Sequence, residues 1–275
     1  MSAFPQGVPQ LSSRLRHLVG KALADFRMIA PGSGVMVGLS GGKDSLVLLE
    51  ALAALRSRSP VPFSLRACTL DPSDGALDTS FLEARCNALD VPWTLLSHDL
   101  LGIIRQREER SPCSFCATMR RGMLCSAATA AGCALLALGH HLDDAVETTL
   151  LNLVSGGRFR CFAPRTWHSR SRITVIRPLV YLQERHIRSE VQRLGLLPVA
   201  PPCPYAGGTE RARIKELLAL LQERYPDIRS NVLHALQNIR QEDCWGFADA
   251  DLNAPEQPGG LENGATLHSS ALPPL

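Results

Sequence analysis

The stretch Val35-Met-Val-Gly-Leu-Ser40-Gly-Gly-Lys-Asp-Ser45 decides how the rest of the chain is read. Its apolar, β-prone start predicts a strand and its Gly-Gly pair a tight turn. Leu46-Val-Leu-Leu-Glu-Ala-Leu-Ala-Ala-Leu55 then predicts a helix opened by Asp44 and Ser45. Free backbone N–H groups at the start of such a helix attract an anion. Gly41 and Gly42 let the anion approach the main chain, Ser40 and Ser45 offer hydroxyls, and Lys43 supplies a point charge. The common nucleotide loop, G-x-x-x-x-G-K-[ST], does not fit, because Val37 stands where its first glycine belongs and Asp44 follows the lysine. This is a phosphate loop of another kind.

Working outward, β-prone runs at 63–70, 93–98, 134–139 and 173–179 alternate with helical patterns at 80–89, 117–131 and 143–154. An amphipathic helix at 11–29 precedes them. Alternation of this sort predicts an α/β fold with a doubly wound parallel sheet, whose ligands sit at the carboxyl ends of the strands. Asp71 and His140 fall at two such ends, and Pro178 marks a strand end or edge. Helices at 184–194, 210–222 and 228–241 predict an α-helical C-terminal part. The expected organisation is an N-terminal helical segment over 1–29, a nucleotide-binding domain over 30–182 and a helical part over 183–247 that completes the site. A disordered acidic tail over 248–275 follows.

The 275 residues contain no run of 18 apolar residues and no charged start followed by an apolar stretch, so a cytoplasmic protein without membrane contact is expected. Nine cysteines in such a protein point to metal or redox work for some of them, not to a disulfide framework. Charge is unevenly spread: residues 156–193 hold nine Arg against Glu184 and Glu190, whereas residues 241–275 hold six acids and no Lys or Arg. A basic block suits a polyanion such as nucleic acid; a merely solvated surface fits the charge equally well. Arg outnumbers Lys 26 to 3, and Lys43 survives that bias.

Two further constellations carry chemistry. Ser111-Pro-Cys113-Ser-Phe-Cys116 precedes a helix bearing Arg120 and Arg121, and its thiol pair suits a structural zinc half-site, a redox couple or two core cysteines. Cys203, between prolines, is a candidate third ligand. Cys68, Cys86, Cys125, Cys133 and Cys161 read as buried free thiols, and Cys244 is left outside the site. In Gly139-His-His-Leu-Asp-Asp-Ala-Val-Glu147-Thr148, Asp144 and Glu147 share one helix face. These carboxylates either cap the helix or hold the Mg²⁺ of a bound triphosphate.

Ser40-Gly-Gly-Lys-Asp-Ser45 resembles the PP-loop of the ATP pyrophosphatases. Together with Cys113 and Cys116 before Arg120-Arg121-Gly122, Gly139 to Thr148, and Cys203, it is similar to the tRNA 2-thiocytidine synthetases, whose fold is adenine nucleotide alpha hydrolase-like. Asn152, Gly156-Gly157 and Ile176-Arg-Pro-Leu179 extend the resemblance over residues 30–240. The resemblance implies ATP and Mg²⁺ bound through Ser40, Gly41, Gly42, Lys43, Asp44, Ser45, Asp71, Gly139 and Asp144. It also implies a 4Fe-4S cluster on Cys113, Cys116 and Cys203, with catalytic work shared by these cysteines, Lys43 and Asp44. The implied reaction adenylylates the C2 oxygen of cytidine 32 in a tRNA anticodon loop and replaces it with sulfur from a cysteine desulfurase or other donor. Assembly as a homodimer is left open. One departure is Ala206, where the family often has the end of a second C-x-x-C. Thiolation of another tRNA nucleoside, lysidine-type amino-acid ligation and a non-catalytic nucleotide- or RNA-binding module are the alternatives.

Overall fold

The computed structural model describes residues 10–199, 203–205 and 210–240. Residues 1–9, Pro201, Ala206, Cys244, the end of the helix expected over 228–241 and the expected tail 248–275 lie outside them. In chain order the elements begin α1 (Ser13–Asp25), β1 (Ser33–Gly38), α2 (Lys43–Arg56), β2 (Phe63–Asp71), α3 (Ser80–Ala88), β3 (Trp93–Ser97), α4 (Leu100–Gln106) and α5 (Pro112–Ala130). There follow β4 (Leu135–Ala137), α6 (Leu142–Gly156), β5 (Arg165–His168), β6 (Ile173–Ile176), α7 (Glu184–Leu194), α8 (Glu210–Arg224) and α9 (Ile228–Gln237). The described residues up to 237 form one compact unit, and residues 238–240 belong to another.

Six strands make one sheet in the order β3-β2-β1-β4-β6-β5. All neighbours are parallel except β5, which runs antiparallel to β6. The predicted parallel, doubly wound sheet is therefore present, with one unexpected edge strand. Arg-Thr-Trp-His is too short and too polar to announce itself, and only pairing with β6 makes it a strand. Helix α4 was also unexpected. Helix α5 begins at Pro112 with Ser111 as N-cap, five residues before the expected start, because proline in the first turn of a helix lacks only an N–H that would be unpaired there anyway. Cys113 and Cys116 thus sit inside the first turns of a helix and not ahead of it.

Both faces of the sheet are covered, as parallel strands require. Val35 and Val37 of β1 pack into a core shared with α1, α2 and α7, while Met36 between them enters the opposite core with Leu124, Cys125 and Ala128 of α5. Helix α2 is buried over residues 45–54, which explains why its sequence is apolar on all sides. The chain winds one way through β1, β2 and β3 and the other way through β4 and β6. The carboxyl ends of β1 and β4 consequently lie side by side at the switch point, where such sheets bind ligands. Helices α8 and α9 dock on α6, with Leu218, Ile228, Val232 and Leu233 against Leu142 and Val146.

One charge on α2 is buried: Glu50 is 2% exposed and accepts from Arg85 Nη2 of α3 at 2.9 Å. Burial pushes the Glu50 carboxyl up, and Arg85 works against that rise. Arg85→Ala is expected to destabilise the protein by about 3 kcal/mol, because it strands a buried carboxylate, whereas Glu50→Leu/Arg85→Met recovers most of the loss. Urea unfolding midpoints of the three proteins check this. Equal midpoints for the wild type and Arg85→Ala would contradict it.

Candidate active site

The loop between β1 and α2 is held by its own hydroxyls. Ser45 Oγ donates to the Gly42 carbonyl at 2.9 Å, and Ser40 Oγ lies 3.2 Å from Ser45 Oγ and accepts from Gly42 N–H at 3.4 Å. Gly41 has φ +84°, and a Cβ there would stand 3.0 Å from the Val199 carbonyl oxygen, so conformation and space both demand glycine. Val199 N–H in turn donates to the Gly41 carbonyl at 2.9 Å, strapping the segment after α7 across the loop.

Lys43 opens α2 with its ammonium 3.0 Å from Asp44 and 3.1 Å from Glu184, the first residue of α7. Burial opposes the Lys43 charge, but these two carboxylates outweigh it and raise the pKa above the usual lysine value. Burial would likewise raise Glu184, yet its bonds to Lys43 and Arg188 pull it down to about 2. Asp44 Oδ1 is buried without a hydrogen-bond partner, with His141 Nε2 at 3.6 Å.

The exit of β4 presses against this loop. A Cβ on Gly139 would lie 3.0 Å from the Asp44 carbonyl carbon and 3.1 Å from Ser45 N, so the two segments approach as closely as main chains can. His140 packs on Phe162 with ring centroids 5.0 Å apart, and burial followed by the Arg177 charge pushes its pKa down to about 4. The acidic start of α6 divides its labour. Asp143 accepts from Arg229 Nε of α9 at 2.5 Å and from Glu184 N–H at 2.7 Å, a structural tie. Asp144 accepts from His141 N–H at 3.0 Å, capping α6, and also meets Arg211 of α8 at 3.3 Å. Glu147 is buried with Lys215 at 3.7 Å; burial raises its pKa.

Asp71 behaves otherwise than its place at a strand end suggested. Its carboxylate accepts from Ser73 N–H at 2.8 Å and Gly75 N–H at 2.6 Å, and it is 1% exposed. Burial would raise its pKa, but these bonds hold it below the usual aspartate value. It builds the 71–77 loop and does not line the cavity described next.

That cavity, of about 490 Å³, is floored by Ser40, Asp44, Ser45 and Gly139 and walled by Asp144, Arg120 and Arg121 of α5, Arg177 after β6 and Arg211 of α8. Four guanidinium groups around a loop of backbone N–H groups make a site for a polyanion. Two of the thiols are on α5 and the third is in the 203–205 segment: Cys113 and Cys203 are exposed and Cys116 is partly buried. Burial raises Cys116, the adjacent Arg120 counters this, and the charges of Cys203 and Cys113 both act on it, so the three cysteines share one neighbourhood. Among the described residues, however, no three His, Cys, Asp or Glu side chains form a ready-made metal site. Cys68 and Cys86 are pushed up to about 11 and about 12 by burial, as inert core thiols are. Sequence reading missed Glu184 and Arg211 because their partners lie 141 and 67 positions away. Glu184 was visible only as an acid within a basic block.

Two outcomes follow from this geometry. Gly139→Ala is expected to weaken ATP binding roughly 10- to 100-fold by displacing the start of α2, while Gly156→Ala, whose added Cβ meets nothing within 4 Å, leaves it unchanged. Isothermal titration of both variants checks this. His140 has a folded pKa of about 4 against an ordinary 6.5, so between these values the unfolded chain binds a proton that the native state refuses. Stability contributed by neutral His140 is therefore present above pH 6.5 and lost as pH falls toward 4. His140→Asn should flatten the dependence of the urea midpoint on pH across that window.

Residues 9–218 match the family described as the PP-loop domain. The chain is 42% identical over 233 residues to the tRNA-cytidine(32) 2-sulfurtransferase of Pelobacter propionicus, a match covering 83% of this chain and 87% of that one. It is 34% identical over 262 residues to the enzyme of the same name from Neisseria meningitidis serogroup C, covering 94% and 80%. In fold it superposes on the U34-tRNA thiolase NcsA from Methanococcus maripaludis, a structure with its [4Fe-4S] cluster, with a TM-score of 0.67 at 24% identity over 82% of this chain and 79% of that one. The strand-loop-helix that floors the cavity is thus a PP-loop in sequence and in shape, and the chain belongs to the PP-loop family, among the tRNA-cytidine(32) 2-sulfurtransferases.

Proposed function

We propose that the protein is an ATP-dependent tRNA sulfurtransferase that replaces the C2 oxygen of cytidine 32 with sulfur. The observation that carries this reading is a cavity in which the PP-loop, the cysteine-bearing helix α5 and four arginines meet. Ser40, Gly41, Gly42 and Ser45 receive the triphosphate on main-chain N–H groups and hydroxyls, and Lys43 supplies charge as pyrophosphate leaves. The C2 oxygen of the base attacks the α-phosphorus, and the bond to pyrophosphate breaks. Sulfur then attacks C2, and AMP departs with the original oxygen.

The donor types of the residues suit the groups that this chemistry needs, although their side chains are not gathered into a ready-made metal site among the described residues. Asp44, with its unpartnered oxygen, and Asp144 would hold Mg²⁺, a hard cation that takes carboxylate oxygens. Cys113, Cys116 and Cys203 would hold a 4Fe-4S cluster, since thiolates are its ligands and three of them leave one iron open. When bound, the cluster would supply sulfide-level sulfur to replace the oxygen, taken from a sulfide donor or from a cysteine desulfurase together with a two-electron reductant. Arg120 favours the Cys116 thiolate, and Arg158, Arg160 and Arg165, all exposed, would meet the tRNA backbone. Helix α8 adds to the site by bringing Arg211 to Asp144. Lysidine-type chemistry has no use for the three cysteines. No helix among the described residues is long and apolar enough to cross a membrane.

Lys43→Ala is expected to cut pyrophosphate release roughly 100-fold or more, as losing a positioned charge does. Cys203→Ser, purified without oxygen, should lose iron, sulfide and visible absorption together with thiolation while still binding ATP. Nucleoside mass spectrometry of the tRNA product and iron assays decide. A Cys203→Ser protein with full iron content, or a wild type that leaves cytidine 32 unmodified under reconstituted conditions, would remove this function.

A further inference from the structure

We propose that Arg177 is an anion receptor, binding a phosphate group inside the cavity. The phosphate comes either from ATP or from the RNA backbone, so the proposal rests on the function proposed above.

Arg177 differs from the other arginines of its block. Arg158, Arg160, Arg165, Arg170 and Arg172 are exposed, whereas Arg177 is 6% exposed and lines the cavity from the end of β6. Nη1 donates to the Ala163 carbonyl at 2.6 Å and to Thr166 Oγ1 at 3.3 Å, and the guanidinium lies over the Phe162 ring at 5.0 Å. Its Nε is buried and donates to nothing. Arg121 repels it, and the neighbouring Cys161 thiol, which burial keeps protonated, offers no negative charge. Neighbouring His140, whose charging burial and Arg177 both oppose, is neutral.

A buried charge without a countercharge is costly, and most ionisable groups escape the cost by neutralising. Arginine cannot: even with burial and Arg121 pushing it down to about 10, Arg177 stays protonated at neutral pH. Clipping residues 163–166 to β6 needs only neutral donors and gives no reason for a full charge. A phosphate gives one, because a planar guanidinium that lines the cavity is matched to its oxygens and burial strengthens the pairing. Arg120 and Arg121 across the cavity bias the same volume toward an anion.

The test uses the full chain with Arg177→Met, which keeps the stem and removes the charge, and Arg177→Lys, which keeps the charge and removes the fork. Affinity is measured for a non-hydrolysable ATP analogue and, across a salt series, for an unmodified tRNA transcript. We expect Arg177→Met to melt no lower than the wild type yet to lose at least about tenfold in affinity for one of the two ligands. A loss confined to the analogue assigns the phosphate to ATP. A loss confined to tRNA, with the slope of log K against log salt smaller by about one, assigns it to the RNA backbone. Both affinities within about twofold of wild type overturn the proposal and leave Arg177 a clip for residues 163–166. If Arg177→Met does not fold, Arg177→Lys decides: a loss of about fivefold or more for either ligand supports the receptor, and unchanged affinities overturn it. Pyrophosphate release by the wild type is measured alongside. Its absence removes the thiolation reading, while the affinities still decide the receptor.

Discussion

The contact between Gly139 and the start of α2 is the constraint on which the rest of the structure depends. Strands β1 and β4 are neighbours at the place where the sheet changes winding direction, and each must leave its carboxyl end without blocking the other. A hydrogen atom in place of a side chain at Gly139 lets the two exits touch, main chain to main chain, at Asp44 and Ser45. The PP-loop from β1 and the His-His-x-Asp-Asp turn from β4 then face one cavity. Without that approach, the phosphate loop and the acidic helix start would be separate features on one edge of the sheet.

Charge then fastens the C-terminal helices to this junction. Asp143 ties the start of α6 to α7 through Glu184 N–H and to α9 through Arg229, and Asp144 meets Arg211 of α8. Glu184 continues the chain of contacts to Lys43. These groups are partly buried, so their interactions are screened less than those of exposed pairs, and removing one member leaves others unpaired. Apolar contacts of Leu218, Val232 and Leu233 with α6 supply the non-directional part of the docking, while the ion pairs fix its register. The position of Arg211 over the cavity is a product of both.

Helix α5 contributes differently. Its N-terminus carries Cys113 and Cys116 toward solvent, while its later turns bury Leu124, Cys125 and Ala128 against the sheet. Being anchored at one end and open at the other, it presents thiols and Arg120 on a rigid support. At the N-terminal end of the helix Arg120 works against the burial that raises Cys116, whereas in the core below burial alone raises Cys68. One residue type thus serves two purposes, separated by depth.

By itself the sequence determined the β1-loop-α2 unit, the alternation of strands and helices, and the Cys113-Cys116 pair, because each is encoded by residues near one another along the chain. Glycines placed for positive φ, β-prone runs and helix starts act locally, and local signals survive reading in one dimension. Asp71 shows the limit: its position at a strand end suggested a ligand, but its oxygens are spent on Ser73 and Gly75. Only the tertiary structure decided that β5 is a strand, since an edge strand exists by pairing with β6 and not by propensity. Only the tertiary structure decided that Glu184 meets Lys43, that Arg211 reaches Asp144, and that Arg177 alone among its neighbouring arginines is buried. Burial and long-range pairing depend on which surfaces the folded chain brings together, and nothing in the spacing of these residues along the sequence carries that information.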